Sequence, residues 1–240
     1  MMKRLIDFIE SSSSQITVIE RAPSEKRVLK KYSGGVGLIK WFIIKAATIP
    51  VPLYPIAFNP RVRMQRELSF FEYMGKYMKT PKIYEVSWDE LSVEREYIVG
   101  EPVYVNDEED VFIKLGRALG LVHSHERALG DSKCSNFIAS SSGDVVIVDA
   151  EQAIETTNIE HYAWDIVVLI ATLSYTINNI LNVGGFKNRV KTILEGYVST
   201  YYASTLKAIA DDARLKAFLS ITTPTPFNFA ALEVIKETIA

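Results

Sequence analysis

The sequence predicts an α+β fold with two lobes, a β-rich N-terminal lobe over residues 1–99 and a mainly α-helical C-terminal lobe over residues 100–240. Apolar and polar residues alternate early in the chain, which is typical of strands, whereas apolar residues recur at helical spacing late in the chain. The chain has 240 residues and 48% of them are hydrophobic, so a sizeable core can form. Strands followed by helices indicate two packed layers with a cleft between them, in a single domain.

The N-terminal lobe is predicted to begin with strands between residues 5 and 32. Apolar residues alternate there with polar neighbours, at Ile16, Val18 and Val28. The four serines at positions 11–14 are small and polar, so they predict a tight turn between the first two strands. Residues 33–60 contain glycine, tryptophan and proline and are predicted to be irregular.

A helix is predicted over residues 61–78, because apolar side chains recur there at a spacing near 3.6, at Met64, Leu68, Phe71 and Met78. Pro81 is expected to end this helix, because proline cannot continue one. Residues 82–99 are then predicted to return to strands, which completes the N-terminal lobe.

The C-terminal lobe is predicted to begin with a helix over residues 111–126, which carries an apolar face at Phe112, Leu115, Leu119 and Val122. Two short strands are predicted next, at residues 136–139 and 145–148. The turn between them, Ser-Ser-Gly-Asp at 141–144, is typical of a hairpin. From residue 161 the chain is predicted to be mainly helical to near residue 220.

The composition excludes several classes of protein. The formal net charge is only −2, so charge gives no indication of nucleic-acid binding. Cys134 is the single cysteine, so an internal disulfide cannot form and a reducing, cytoplasmic location is expected.

No signal peptide is predicted. Two apolar stretches are predicted not to span a membrane, because residues 46–58 are short and rich in proline and residues 166–186 contain three asparagines. The first half of the second stretch is predicted to be a buried helix. No P-loop, G-x-S-x-G or paired-cysteine zinc motif is found.

The polar residues that suggest chemistry follow the first helix of the C-terminal lobe. Asp131 is followed by Lys133 and Asn136, and the predicted hairpin then leads into Asp149. Because a hairpin returns the chain to its start, Asn136 and Asp149 are expected to lie together. An Asp and an Asn offer the hard oxygen ligands that Mg²⁺ prefers, and metal ions bridge the phosphates in phosphoryl transfer. Asp131 would then orient an attacking hydroxyl and accept its proton, and Lys133 would neutralise charge on the γ-phosphate.

This pattern, D-x-K-x-x-N followed by a strand that ends in Asp, resembles the catalytic loop and metal-binding strand of protein-kinase-like enzymes. It is most similar to the compact, atypical members of that superfamily, namely the RIO-type kinases, the KEOPS-associated small kinase and archaeal or viral relatives. The resemblance implies a bilobal kinase fold in which Asp131 is the catalytic Asp, and Asn136 and Asp149 are metal ligands. It also implies that the chain binds ATP with Mg²⁺ or Mn²⁺.

Weaker resemblances extend into the N-terminal lobe. Residues 27–30, Arg-Val-Leu-Lys, resemble the V-A-I-K strand of kinases. This implies that Lys30 contacts the α- and β-phosphates, with Lys31 as the alternative, because a slip of one residue turns a side chain to the other face of a sheet. Glu67 resembles the Glu that pairs with this lysine, and Glu72 is the alternative.

Two further resemblances concern the hinge and the support of the catalytic loop. Residues 97–101 resemble the hinge between the lobes, which implies that backbone groups of Glu96 and Ile98 face the adenine ring. Asp165 precedes an apolar helical segment and resembles the buried Asp that anchors the catalytic loop from below. His123 is expected to have a structural role in the helix before that loop.

The chain departs from the family pattern in four places. Leu129 stands where a histidine or tyrosine usually precedes the catalytic Asp, and Asp149-Ala150-Glu151 replaces D-F-G. The serines at 11–14 occupy the place of the glycine-rich nucleotide loop, because the glycines at 34, 35 and 37 lie on the wrong side of the nucleotide lysine. Only 15 residues separate Asp149 from Asp165, which is too few for an ordinary activation segment, so a standard peptide-docking platform is not expected.

The sequence therefore predicts an ATP-dependent phosphotransferase, and a protein serine or threonine, including one of its own, is the expected acceptor. Two alternatives remain open. The short segment after Asp149 favours a small-molecule kinase of the aminoglycoside or sugar type. Leu129 and the altered triplet favour an ATP-binding regulatory subunit or pseudokinase that acts with a partner subunit. Neither a membrane nor direct nucleic-acid binding is expected.

Overall fold

The computed structural model describes residues 16–22, 25–32, 53–177 and 179–240. Within these ranges the chain is a mixed α+β protein with seven helices and antiparallel sheets, which confirms the predicted class. The predicted serine turn at 11–14 and the glycines at 34, 35 and 37 lie outside the described residues.

The first strands form a four-stranded antiparallel sheet in the order β1-β2-β4-β3. Its members are β1 (Ile16–Ala22), β2 (Glu25–Lys31), β3 (Ile83–Ser87) and β4 (Ser92–Glu96). Strand β2 is central, and Lys30 lies opposite Ile16 of β1 and Val93 of β4. Neighbours on both sides hold β2 in one register, which decides the face to which each of its side chains points.

Helix α1 (Pro60–Met74) packs beside this sheet, where Met64 belongs to a buried cluster with Val93. The helix begins at Asn59, whose side chain accepts hydrogen bonds from the backbone N–H groups of the first turn. Pro60 suits the first helical position, where its missing N–H is not needed. The prediction that this helix reaches residue 78 is wrong, because the backbone N–H of Gly75 donates to the Phe71 carbonyl and the next residues form turns.

A three-stranded antiparallel sheet follows, formed by β5 (Gly100–Pro102), β7 (Phe137–Ser140) and β8 (Val145–Ile147) in the order β5-β7-β8. The predicted hairpin at 141–144 is confirmed, and Gly143 adopts φ 86° in its turn, a conformation that suits glycine. Strand β6 (Arg127–Ala128) pairs with β9 (Ile154–Glu155), so the chain on either side of the hairpin is also held together.

The other six helices form the C-terminal part: α2 (Glu109–Ser124), α3 (Ile159–Ser174), α4 (Val183–Val198), α5 (Ser204–Asp211), α6 (Ala213–Thr222) and α7 (Thr225–Ile239). Large aromatic side chains from several of them are fully buried in one core, among them Phe112, Trp164, Tyr197 and Phe227. The prediction that helices end near residue 220 is wrong. Pro224 separates α6 from a further helix, α7, whose buried face carries Phe227, Ala231 and Val234 at helical spacing.

The apolar stretch at 166–186 contains the second half of α3, and Ile166 and Ile170 in it are buried in the core. This confirms the prediction that its first half is a buried helix. Over the described residues, none of the helices combines the length and the apolar character that crossing a bilayer requires.

Candidate functional site

Lys30 points from the central strand β2 into the protein, and only 3% of it is exposed. Its neighbour Lys31 is exposed, because successive side chains of a strand point to opposite faces. A lysine is seldom buried without a partner, so the environment of its ammonium group decides what this position can do. Of the two lysines left open by the sequence, Lys30 is therefore the one that can belong to a buried site.

Glu67 meets Lys30 from helix α1. The Lys30 Nζ atom lies 2.5 Å from Glu67 Oε2, and only 1% of Glu67 is exposed, whereas Glu72 is exposed. Arg95 of β4 approaches the other oxygen of Glu67 at 3.9 Å. Burial raises the pKa of Glu67, and Lys30 and Arg95 oppose that rise. The ion pair therefore joins the sheet to α1 through a lysine and a glutamate that are 37 residues apart.

Two further carboxylates reach the same ammonium group from the chain after β8. Lys30 Nζ lies 3.0 Å from Asp149 Oδ1 and 3.4 Å from Glu151 Oε2. Burial alone would lower the pKa of Lys30, but Asp149 and Glu67 together raise it well above its ordinary value. Burial alone would raise the pKa of Asp149, but Lys30 and Lys133 hold it below its ordinary range. At neutral pH the site therefore contains an ionised Asp149 beside a protonated Lys30.

The oxygens of Glu67, Asp149 and Glu151 lie within 4.8 Å of one another, so this cluster of carboxylates could share a cation. Hard oxygen donors suit Mg²⁺ and Mn²⁺. Asn136 is a further candidate donor, because its side-chain Nδ2 donates to the Asp131 carbonyl at 2.7 Å and so leaves Oδ1 to meet a cation. The donors present thus fit a divalent metal.

The loop that carries Asp131 is brought to Asp149 by the hairpin, as predicted from the spacing. The Val148 backbone N–H donates to the Asn136 carbonyl at 2.9 Å, which places Asn136 opposite the residue before Asp149. Lys133 Nζ lies 3.4 Å from Asp131 Oδ2, with both side chains mostly buried. Asp131, Lys133 and Asn136 thus lie in one short loop beside the end of β8.

Asp165 of α3 supports this loop from within the core, where it is fully buried. Its carboxylate accepts hydrogen bonds from the backbone N–H groups of Leu129, at 2.6 Å, and Gly130, at 2.7 Å. Its carbonyl accepts a hydrogen bond from the hydroxyl of Ser132 at 2.6 Å, and the Trp164 indole donates to the Gly130 carbonyl at 2.8 Å. Contacts from two adjacent residues of one buried helix therefore fix the backbone before Asp131 and the Ser132 side chain after it.

His123 has a place in this support. One ring nitrogen lies 2.8 Å from the Tyr197 hydroxyl and the other 3.2 Å from Asp165, and the ring stacks on Tyr162. Burial lowers the pKa of His123, although Asp165 opposes this. The neutral ring therefore acts as a buried link between α2, α3 and α4, a structural position. Leu129 is also buried, so it contributes apolar contacts and a backbone N–H instead of a polar side chain.

Glu96 and Ile98 lie in and just after β4, on the connection to β5. The backbone N–H of Glu96 donates to the Lys82 carbonyl at 2.8 Å, so this donor already has a partner within the protein. Ile98 is buried, whereas Val99 is exposed. The expectation that both residues present backbone groups to an adenine ring can therefore involve the carbonyl of Glu96 but not its N–H.

Four residues that complete the site were not predicted from the sequence: Arg63, Arg95, Glu151 and Gln152. Arg63 of α1 lies 2.9 Å from Glu151, and Arg95 lies near Glu67. The Gln152 side chain holds the backbone of Ala57 through two hydrogen bonds. A signal existed only for Arg63, which precedes Glu67 by four residues and so lies on the same face of α1. The other contacts join distant parts of the chain, and no local pattern indicates them.

No protein-family model matches this chain, and no curated protein is significantly similar to it. The function must therefore be argued from the geometry and chemistry of this site.

Proposed function

We propose that this chain is an ATP-dependent phosphotransferase with a protein-kinase-like, two-lobed fold, in which residues 1–99 and 100–240 form the lobes. The proposed reaction transfers the γ-phosphoryl group of ATP to a serine or threonine hydroxyl of a protein. One observation carries the proposal: the buried ammonium group of Lys30 is held at once by Glu67 of α1 and by Asp149. A buried cation of this kind is suited to polyanionic phosphates, and the paired carboxylates keep it charged.

Each residue of the site has a role in this proposal. Lys30 binds the α- and β-phosphates, and Asn136 and Asp149 hold Mg²⁺ or Mn²⁺. When bound, the nucleotide would supply the γ-phosphoryl group, and the metal ion would supply positive charge that offsets the negative charge of that group. Asp131 orients the acceptor hydroxyl and takes its proton, while the new O–P bond forms and the bond between the γ-phosphorus and its bridging oxygen breaks.

Charge also determines what the loop can do during transfer. Lys133 neutralises negative charge on the transferred group, and its 3.4 Å contact with Asp131 keeps it at the acceptor side of the site. The contacts that Asp165 makes with Leu129 and Gly130 support this role, because phosphoryl transfer depends mainly on positioning.

A small-molecule acceptor is the second candidate, and the segment after Asp149 favours it. Its residues are held close to the core, because β9 pairs with β6 and α3 begins at Ile159. A segment of this length leaves little chain on which to dock a peptide. A protein acceptor would therefore have to bind through other surfaces, whereas a metabolite would need only the loop around Asp131.

The test is transfer of labelled γ-phosphate from ATP in the presence of Mg²⁺, first to a generic basic protein and then to a panel of hydroxyl-bearing metabolites. The wild-type chain and Asp149→Ala are compared, with Asp211→Ala as the matched control, because Asp211 is exposed at the end of α5. Transfer by the wild type and the control, lost by a factor of about 100 or more in Asp149→Ala, is the expected result.

Three other outcomes change the assignment. Label that moves only to a metabolite selects the small-molecule kinase. ATP turnover without a labelled acceptor, which rises when a partner is added, selects the ATP-binding subunit. Equal activity in Asp149→Ala, with the fold intact by circular dichroism, removes the site from consideration.

A further inference from the structure

We propose that Glu151 is a positioning residue that locks helix α1 onto the segment after Asp149, so that the Lys30–Glu67 pair stays assembled in the unmodified protein. The mechanical part of this inference depends only on contacts within the chain. Its consequence for catalysis rests on the proposed function.

We use the word lock for the ion pairs that Arg63 and Glu67 form with Glu151 and Lys30. Two of these charged residues lie on one face of α1. Arg63 and Glu67 are four residues apart, so their side chains leave the helix in the same direction. Glu67 pairs with Lys30 of β2, and Arg63 Nη2 donates to Glu151 Oε2 at 2.9 Å. Helix α1 is therefore fixed to the sheet by one ion pair and to the chain after β8 by another.

Glu151 also connects these two ion pairs with each other. The same Oε2 atom lies 3.4 Å from Lys30 Nζ, and the Glu151 backbone N–H donates to Asp149 Oδ1 at 3.3 Å. Its side chain is 11% exposed and that of Arg63 is 5% exposed, so water competes little with these contacts. A displacement of α1 would have to break Arg63–Glu151 as well as Lys30–Glu67.

Gln152 holds the chain immediately before α1 in the same way. Its Oε1 accepts from the Ala57 N–H at 2.8 Å, and its Nε2 donates to the Ala57 carbonyl at 3.0 Å, so the side chain pairs with backbone as a neighbouring strand would. The Gln152 carbonyl accepts a hydrogen bond from the Tyr54 hydroxyl at 2.9 Å. Two successive residues, Glu151 and Gln152, thus fix the first turn of α1 and the segment that leads into it.

The contacts of Glu151 bear on how the activity of the protein is regulated. In kinases the Lys–Glu ion pair must be in place, and helix position controlled by a phosphorylated activation loop often decides this. Here unmodified side chains provide the connection, and the 15-residue segment after Asp149 leaves no room for a long switch. The site is therefore assembled from the start, and activity requires no prior phosphorylation.

Hydrogen–deuterium exchange on the full chain tests the lock without reference to activity. Peptides from α1 are followed in the wild type, Glu151→Gln, Arg63→Gln and the double variant. Exchange in α1 should be about tenfold faster in each single variant, and the double variant should not exceed the faster single, because both changes remove the ion pair between Arg63 and Glu151. Glu237→Gln, which removes one exposed contact of Lys187, is the matched control and should leave α1 unchanged.

Unchanged α1 exchange, or effects of the two singles that multiply, would overturn the inference, as would faster exchange in α4 and α7 equal to that in α1. Glu151→Asp and Gln152→Met decide the matter should Glu151→Gln not fold. The first should give intermediate protection of α1, and the second should speed exchange only around the first turn. Wild-type protection in both would also overturn the inference.

Kinetics on phosphatase-treated protein tests the catalytic consequence. Glu151→Gln and Arg63→Gln should both lower kcat about tenfold, while the Mg²⁺ concentration for half-maximal rate stays within about twofold of the wild type. A higher Mg²⁺ requirement in Glu151→Gln alone would make Glu151 a metal ligand, and a lag that phosphorylation removes would refute constitutive assembly. A wild type without any transfer would overturn the proposed function, whereas the exchange result decides the lock by itself.

Discussion

Replacing Lys30 by methionine tests the electrostatics of the site most directly. In the wild type its Nζ atom lies 2.5 Å from Glu67, 3.0 Å from Asp149 and 3.4 Å from Glu151. Methionine has a similar shape but no charge, so these carboxylates, whose oxygens lie within 4.8 Å of one another, would lose their shared cation. Removing one partner of a buried ion pair is destabilising because it leaves uncompensated charge in the interior.

The expected loss in the free energy of unfolding of Lys30→Met depends on which cations still contact the carboxylates. Breaking a buried pair costs about 3–5 kcal/mol. Arg63 still contacts Glu151, and Arg95 still lies 3.9 Å from Glu67, so we expect the lower end of that range, about 3 kcal/mol at pH 7. For a chain of this size this corresponds to a fall in Tm of about 6–12 °C. Urea denaturation followed by circular dichroism measures the free energy of unfolding, and a thermal scan measures Tm.

The stability of Lys30→Met should also depend on pH differently from that of the wild type. Lys30 holds the pKa of Asp149 low, so in the wild type this carboxylate stabilises the fold above its unfolded pKa, and that contribution is lost as pH falls. In Lys30→Met the buried carboxylates are expected to bind protons more readily than in the unfolded chain. The variant should therefore regain stability as pH falls from 7 to 5, and the difference from the wild type should shrink.

The exposed neighbour Lys31 provides the matched control, because Lys31→Met removes the same charge from the same strand. This change should alter the free energy of unfolding by no more than about 0.5 kcal/mol. A loss below about 1 kcal/mol in Lys30→Met, or an equal loss at pH 7 and pH 5, would refute the reasoning, because a buried cation among three carboxylates cannot behave in that way.

Two other substitutions test the support of the Asp131 loop. Asp165→Asn leaves one oxygen for the two backbone N–H groups of Leu129 and Gly130, so the free energy of unfolding should fall by about 1–3 kcal/mol in urea denaturation; an unchanged midpoint would show that these hydrogen bonds contribute little. Gly130→Ala should destabilise by at least about 2 kcal/mol, because Gly130 adopts φ 70° and a Cβ there would lie 2.2 Å from the Tyr54 ring. Gly184→Ala, where a Cβ meets nothing within 4 Å, is the control and should stabilise by about 0.5–1 kcal/mol; equal effects at the two glycines would contradict the steric argument.

Much of the fold could be predicted because local patterns determine it. Alternation of apolar and polar residues predicted the strand that contains Lys30, and the Ser-Ser-Gly-Asp turn predicted the β7–β8 hairpin. The end of α1 was less predictable, because the apolar spacing continues to Met78 whereas the hydrogen bond that closes the last turn involves Gly75. Helix α7 was missed because its buried face depends on packing against other helices.

The residues of the candidate site also fall into those that local sequence patterns predict and those that only long-range contacts bring together. The short spacing of Asp131, Lys133 and Asn136, and the hairpin that leads to Asp149, are visible in the sequence because the relevant contacts are local. The contacts between Arg63 and Glu151 and between Gln152 and Ala57 join residues 88 and 95 positions apart. Loop closure over such distances follows from the whole fold, so only the structure reveals that the residues after Asp149 hold helix α1.

The composition of the buried cluster bears on function as well as on stability. Among the described residues, Lys30, Arg63 and Arg95 face Glu67, Asp149 and Glu151, so the charges balance. Such a cluster contributes little stability, because the cost of removing charges from water offsets their attraction, and apolar residues of the same volume would often serve the fold as well or better. A requirement for stability alone therefore does not explain six charged side chains, each at most 17% exposed, at the junction of β2, β4, α1 and the end of β8. A requirement for a protonated lysine and an ionised aspartate at one point does explain them, which is why this cluster, more than any single motif, supports the proposal of phosphoryl transfer.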